Sequence, residues 1–127
     1  MSSANIAYII LIILGLLIVY SLFSNLPKKL STSKKAYFRS VLNNATSKEL
    51  HAALISCDTV LEHILRELGN EGTLGEMLQK KKKLKNIELF WKYHKLRNKA
   101  VHEIVPPKIT TTDVALFERA IVEEFLG

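Results

Sequence analysis

The chain has 127 residues, which favours one folded domain with at most a short appendage. Its 18 lysines and arginines exceed 12 aspartates and glutamates, for a formal net charge of +6. Four of the lysines lie in one short segment, and the remaining 14 basic and 12 acidic residues leave only +2, which argues against a domain that binds nucleic acid through bulk charge. The single cysteine, Cys57, excludes an internal disulfide and is typical of a reducing compartment.

An uncharged apolar run, "ANIAYIILIILGLLIVYSLF", extends from Ala4 to Phe23. Twenty residues of α-helix span about 30 Å, the thickness of the hydrocarbon core of a bilayer. Tyr8 and Tyr20 lie near its two ends, where amphipathic rings suit the headgroup region. A cleaved signal peptide is the alternative, but it needs a basic start and a shorter apolar run than this. The run therefore predicts an uncleaved transmembrane helix over residues 4–24.

The residues that flank this helix predict its orientation. No lysine or arginine precedes the helix, and four lysines follow it: Lys28, Lys29, Lys34 and Lys35. The positive-inside rule then places residues 1–3 outside the cell membrane and the rest of the chain in the cytoplasm, as a single-pass protein. Residues 25–35 read as a basic linker whose lysines contact anionic lipid.

The remainder, residues 36–127, shows helical periodicity and neither strand alternation nor hairpin signals. A short leading helix is expected over Lys35–Asn44. The first long helix should begin near Thr46 or Ser47, either of which could cap it, and end at Gly69. Its apolar stripe consists of Leu50, Leu54, Cys57, Leu61, Ile64, Leu65 and Leu68.

Two further helices are predicted from capping and breaking signals. Thr73 and Glu76 fit a capping box that opens a helix through "LGEMLQKKKKL". The next helix runs from about Asn86 to Glu103 and must stop before Pro106–Pro107.

A last helix should start near Thr111 or Thr112 and run to Gly127, with four apolar residues facing inward: Val114, Phe117, Ile121 and Phe125. Because the connections are short, neighbouring helices should be antiparallel. The fold class predicted is all-α, a transmembrane helix followed by an up-and-down four-helix bundle.

One residue of the penultimate helix, Arg97, is charged although it lies on the apolar side of that helix. At 100° per residue it projects into the apolar side, together with Leu96, Ala100 and Val101. An arginine is almost never buried without a partner, so Arg97 must meet a carboxylate, a phosphate or water trapped at an interface. Asp58 is the most inward candidate on the first long helix, and Glu62 is the other.

Two histidines share the helix with Arg97. His94 lies toward the apolar side, where a packed and hydrogen-bonded core histidine is the simple interpretation. His102 falls in the last turn, where the helix dipole alone favours a histidine. Five residues correspond to about 140°, so Arg97 and His102 do not share a face of a regular helix. They can converge only if the helix ends at His102 or if a second copy supplies the complement.

The segment "RNKAVH" nevertheless resembles the signature of the HEPN superfamily, an Arg, a polar residue, three more residues and a His near the end of the third helix of a four-helix bundle. The resemblance covers residues 46–127 in architecture and three positions in motif: Arg97, Asn98 and His102. It implies a metal-independent endoribonuclease whose motifs face each other across a homodimer. His102 would move a proton at the ribose 2′-OH or the departing 5′-oxygen, Arg97 would hold the scissile phosphate, and Asn98 would orient either group. No cofactor and no metal is expected.

The resemblance leaves a second hypothesis open, a membrane-anchored interaction or dimerisation domain in which Arg97 is structural and the partner is another protein. The basic run "KKKKLK" bears on this choice, because it reads as a solvated helix end or as a surface for RNA or lipid. Its charged members are Lys80, Lys81, Lys82, Lys83 and Lys85.

Overall fold

A computed structural model of the chain describes residues 2–24 and 28–127. The described residues form helices and turns, without a strand. The expectation of an all-α protein is therefore confirmed. Part of the predicted linker, residues 25–27, lies outside the described residues.

The first helix, α1, spans Ser3–Ser24, as the apolar run predicts. Its 22 residues correspond to about 33 Å, long enough to cross a bilayer. None of its described residues is buried, so α1 has no apolar neighbour that would explain its composition.

The second helix, α2, spans Thr32–Thr46, longer at both ends than the leading helix expected over Lys35–Asn44. Ser31 caps it by accepting a hydrogen bond from the Lys34 amide, and Phe38, Leu42 and Ala45 are buried. The last four residues of the predicted linker are thus helical.

The long helix α3 spans Leu50–Glu67, and its predicted start was wrong. Thr46 and Ser47 end α2 instead of capping α3, and the Glu49 carboxylate accepts hydrogen bonds from the first amides of α3. The predicted end is right, because Gly69 adopts φ +92° and forms a Schellman motif: its amide and the Asn70 amide bond back to the last turn.

The capping box of Thr73 and Glu76 is confirmed and opens α4, Leu74–Lys80. This helix ends earlier than predicted, at the first lysine of the basic run, and Lys81–Lys83 form an exposed turn. Four consecutive like charges offer the helix no apolar side to bury, which explains the early end.

The last helices begin and end close to their predicted positions. α5 spans Ile87–His102, and α6 spans Thr111–Ile121 after a second capping box of Thr110 and Asp113. A π-helical turn, Val122–Leu126, follows α6 directly.

The core lies around α3, which contacts α2, α4, α5 and α6. Its largest fully buried side chains include Phe90 and Tyr93 of α5 and Phe117 of α6. Two aromatic stacks tie α5 to the C-terminal segment, Tyr93 on Phe117 and Phe90 on the half-buried Phe125. The predicted inward residues of the last helix are thus confirmed.

Contacts between helix ends show that α2 runs opposite to α3, and α5 opposite to the C-terminal segment. Lys34, at the start of α2, forms an ion pair at 3.3 Å with Glu67, at the end of α3. The Asn86 amide, just before α5, donates to Glu124 Oε1 at 2.7 Å in the C-terminal turn. The domain therefore has a linker end, defined by Lys28–Ser31, Gly69, Asn86 and the C-terminal turn, and a far end, defined by 47–49 and 103–110.

Candidate functional site

The candidate site is built around Asp58, the one charged residue buried in the described part of the domain. It sits on the middle of α3, where its helix packs against α5, and its side chain is 6% exposed. A buried carboxylate is costly unless it is paired and hydrogen-bonded, so its neighbours determine whether it is tolerated.

The nearest of these neighbours is His94 of α5. Its Nδ1 lies 3.1 Å from Asp58 Oδ2 and 3.3 Å from Oδ1, within hydrogen-bond distance of both oxygens. Its ring also packs edge-on against Trp91 and lies close to Gly75 at the start of α4. His94 is therefore the packed and hydrogen-bonded histidine that its position on the helix predicted.

Arg97 lies one turn further along α5 and approaches the same carboxylate. Its Nε is 3.7 Å from Asp58 Oδ2, which is an ion-pair distance but longer than a hydrogen bond. This Nε is buried and makes no hydrogen bond within the described part of the chain. The guanidinium instead donates from Nη1 to Asn98 Oδ1 at 3.2 Å, and 31% of the side chain is exposed. The Arg97 side chain thus extends from the buried Asp58 carboxylate to the surface.

Glu62, the other predicted partner of Arg97, is engaged elsewhere. Its carboxylate pairs with Arg66 at 2.7 Å, four residues later on the same helix. Of the two acidic candidates, the structure brings only Asp58 to Arg97.

His102 is exposed in the last turn of α5, whose backbone is helical through that residue. A regular helix turns about 140° over the five residues from Arg97, so the two side chains leave the helix in different directions. The structure brings Asn98 to Arg97, and within the described residues no hydrogen bond joins His102 to either of them.

Sequence reasoning missed an exposed apolar group beside His102. Val101 is 45% exposed although it was expected on the inward side, and Ile104 and Val105 are also largely exposed. The reason is that α6 begins only at Thr111, so no element covers the end of α5. Two aliphatic residues directly before Pro106–Pro107, where a helix must stop, are the signal that could have revealed this group.

The basic residues divide into paired and unpaired lysines. Lys34 pairs with Glu67, Lys85 pairs with Glu123, and the Lys35 ammonium donates to the Gly127 carbonyl at 3.2 Å. The other lysines of the predicted linker and of the basic run form no ion pair in the described part of the chain, and all are exposed: Lys28, Lys29, Lys80, Lys81, Lys82 and Lys83.

Two observations bear on other chemistry. Within residues 2–24 and 28–127, no three side chains of His, Cys, Asp or Glu come together as metal ligands would. Burial raises the pKa of the Cys57 thiol to about 12, with Glu118 and Asp58 adding to the effect, so this thiol stays protonated and is a poor nucleophile.

Comparison of the chain with protein-family models, with curated protein sequences and with solved structures finds no match. The functional interpretation therefore depends on the geometry of the Asp58, His94, Arg97, Asn98 and His102 side chains.

Proposed function

We propose that α1 anchors the chain in the cell membrane as a single transmembrane helix, with the N-terminus outside and the helical domain in the cytoplasm. The length of α1, its lack of charge and the absence of buried residues along its described part support the anchor. The lysines that follow α1, Lys28 and Lys29 first, support the orientation.

We propose further that α2, α3, α5 and α6 form an up-and-down four-helix bundle of the HEPN kind, acting as a metal-independent endoribonuclease in a homodimer. In this bundle α2 takes the place of the short α4, whereas the sequence predicted the four helices within residues 46–127. One observation carries this proposal: Asn98 accepts a hydrogen bond from Arg97 and holds its guanidinium partly exposed, near the end of the helix that also presents His102. These are the three positions of the motif, and two of them are already in contact.

In the proposed reaction, the guanidinium of Arg97 binds the scissile phosphate and offsets negative charge in the transition state. His102 removes the proton of the ribose 2′-OH, because an imidazole gains and loses a proton near neutral pH. The 2′-oxygen bonds to phosphorus, the bond from phosphorus to the 5′-oxygen breaks, and the 5′-oxygen takes a proton from the second His102 of the dimer. The products are a 2′,3′-cyclic phosphate and a 5′-hydroxyl.

The homodimer is part of the proposal because one chain does not assemble the site. Arg97 and His102 leave α5 about 140° apart, so each needs a complement from a second copy. Val101, Ile104 and Val105 are the exposed apolar side chains that such a contact would bury.

The test uses the full chain in detergent or nanodiscs, incubated with RNA in the presence of EDTA. Cleavage by the wild type that His102→Ala and Arg97→Lys both abolish would support the enzyme. His102 is exposed, so its replacement should leave thermal unfolding unchanged, and loss of cleavage would then not reflect misfolding. Lys99→Ala, an exposed change between the two residues, is the matched control and should cleave normally.

A second candidate is favoured by the 3.7 Å approach of Arg97 to Asp58. In this alternative the domain is a membrane-tethered module for dimerisation or for binding another protein, and Arg97 is structural. Wild-type protein that does not cleave RNA, together with a clear loss of stability in Arg97→Ala, would favour this candidate over the enzyme.

A further inference from the structure

The linker end of the domain is held together by contacts that involve the first described residues after α1. Lys28 lies against Gly69, since a Cβ built on that glycine would be 3.1 Å from Lys28 Cδ. Lys35 reaches the Gly127 carbonyl at 3.2 Å. The start of α2, the end of α3 and the C-terminus therefore lie together. Lys28, the first described residue among them, is four residues after the end of α1.

The basic turn after α4 lies at this same end, although it is more than 50 residues from Lys28 along the chain. Lys85 pairs with Glu123, and the Asn86 amide bonds to Glu124 at 2.7 Å. Glu124 in turn lines a surface cavity together with Lys28 and Lys29. The exposed turn Lys81–Lys83 is thus carried to the linker end by the segment that starts α5.

Charge at this end is unbalanced in one direction. Glu67 and Glu123 are matched by Lys34 and Lys85 in ion pairs. Outside these pairs, two acidic residues of this end, Glu71 and Glu124, are outnumbered by six exposed lysines: Lys28, Lys29, Lys80, Lys81, Lys82 and Lys83. The far end differs, because there Lys48 and Lys108 alternate with Glu49 and Glu103.

We propose that the linker end of the domain, with the Lys81–Lys83 turn as its outermost part, docks on anionic lipid headgroups of the membrane that holds α1. This inference rests on the proposed membrane anchor. Lys28 is the fourth residue after Ser24, a reach of about 14 Å at most, so Lys28 and Lys29 stay near the bilayer at all times. Clustered lysines beside a transmembrane helix are attracted by the negative surface potential, which acts over about 10 Å.

Docking would also orient the motif. α5 starts at the linker end and its 16 residues rise about 24 Å, so His102 and the exposed apolar residues beside it would face away from the bilayer. RNA and a second copy could then approach the far end without competing with lipid.

The experiment uses the full chain in nanodiscs of neutral lipid and of lipid that contains phosphatidylserine, with a spin label at Gln79→Cys, an exposed position on α4. Relaxation by nickel chelated to headgroups reports proximity to the bilayer. A label at Ile104→Cys, at the exposed far end, is the control, and the buried Cys57 should not react with the label.

We expect the label at residue 79 to be relaxed more strongly in anionic than in neutral discs, and this difference to be lost in high salt. K81Q/K82Q/K83Q should lose the difference, whereas K48Q/K99Q/K108Q, a matched triple change on exposed surface away from the linker end, should keep it. The label at residue 104 should not respond to lipid charge.

Equal relaxation in neutral and anionic discs, or an unchanged difference in K81Q/K82Q/K83Q, would overturn the docking proposal. RNA binding that falls in this variant while lipid proximity is kept would identify a nucleic-acid surface instead. Extraction of the chain by alkaline carbonate would overturn the anchor itself, and is thereby distinguished from failure of docking alone.

Discussion

His94 and Asp58 join the two central helices, with His94 Nδ1 3.1 Å from Asp58 Oδ2 in the interior of the domain. Arg97 approaches the same oxygen at 3.7 Å from the more exposed side. One carboxylate thus has two basic neighbours, and the closer one is the histidine. The difference in distance predicts how the stabilisation is divided between them.

The Asp58–His94 contact should stabilise the fold more than the Asp58–Arg97 contact does. Double-mutant cycles with alanine should give a coupling of about 1 kcal/mol for Asp58 with His94, as for a hydrogen bond in a buried site. The coupling with Arg97 should be below about 0.5 kcal/mol, because its distance is long and solvent screens a side chain that is one-third exposed. Urea unfolding measures both, and the exposed Glu62–Arg66 pair is the reference cycle. A larger coupling with Arg97 would contradict this division.

Cys57 should resist alkylation in the folded protein. Burial raises the pKa of its thiol to about 12, against about 8.5 for a free cysteine, so little thiolate exists at pH 8. Iodoacetamide should react only after addition of guanidinium chloride, as measured by mass spectrometry. The raised pKa also means that the unfolded state loses its proton first, so this residue's contribution to stability should be lost as pH rises above about 8.5. Rapid alkylation of the native protein would contradict the prediction.

The capping carboxylate of Asp113, at the start of α6, should make the stability of the protein depend on pH. Hydrogen bonding to the Thr110 amide is the main reason that the pKa of its carboxyl is lowered. The ionised form therefore stabilises the fold above the unfolded pKa of about 3.9, and this contribution is lost as pH falls through the folded value. Asp113→Asn should destabilise the protein by about 1 kcal/mol at pH 7. The destabilisation should be much smaller at a pH below the folded pKa of Asp113, where the wild-type carboxyl is protonated as well.

Thermal unfolding as a function of pH measures this effect. Thr112→Ala, an exposed change in the same turn that removes no capping bond, should alter stability little at any pH. A pH-independent deficit in Asp113→Asn would show that the carboxylate charge is not what matters.

Two glycines should respond in opposite ways to alanine. Gly69 has φ +92°, which an L-residue adopts only with strain, so Gly69→Ala should destabilise the protein by about 1 kcal/mol. Gly75 is helical, and a Cβ there would meet His94 Nε2 at 3.7 Å, an ordinary contact. Gly75→Ala should therefore stabilise the protein, by about 0.5 kcal/mol, through its higher helix propensity. Chemical denaturation of both variants checks the signs.

Local signals in the sequence predicted most of the helix boundaries. The Thr73–Glu76 capping box, the end of α3 at Gly69 and the extent of α5 depend on interactions within one turn, which spacing reveals directly. The boundary between α2 and α3 was misplaced because the hydroxyl of Thr46 or Ser47 can cap a helix or end one. In the structure the buried side of α2, formed by Phe38, Leu42 and Ala45, continues up to that point.

The sequence by itself determined that the chain is helical and that its first helix is long and apolar enough to span a bilayer. It also determined that Arg97 needs a neighbour, which could be a carboxylate, a phosphate or trapped water. Only the tertiary structure decided that Asp58 is that neighbour, that Glu62 turns to Arg66, and that Val101 is left exposed. The physical reason is that pairing between helices depends on the rotation and height of one helix against another. Periodicity within a single helix contains neither quantity.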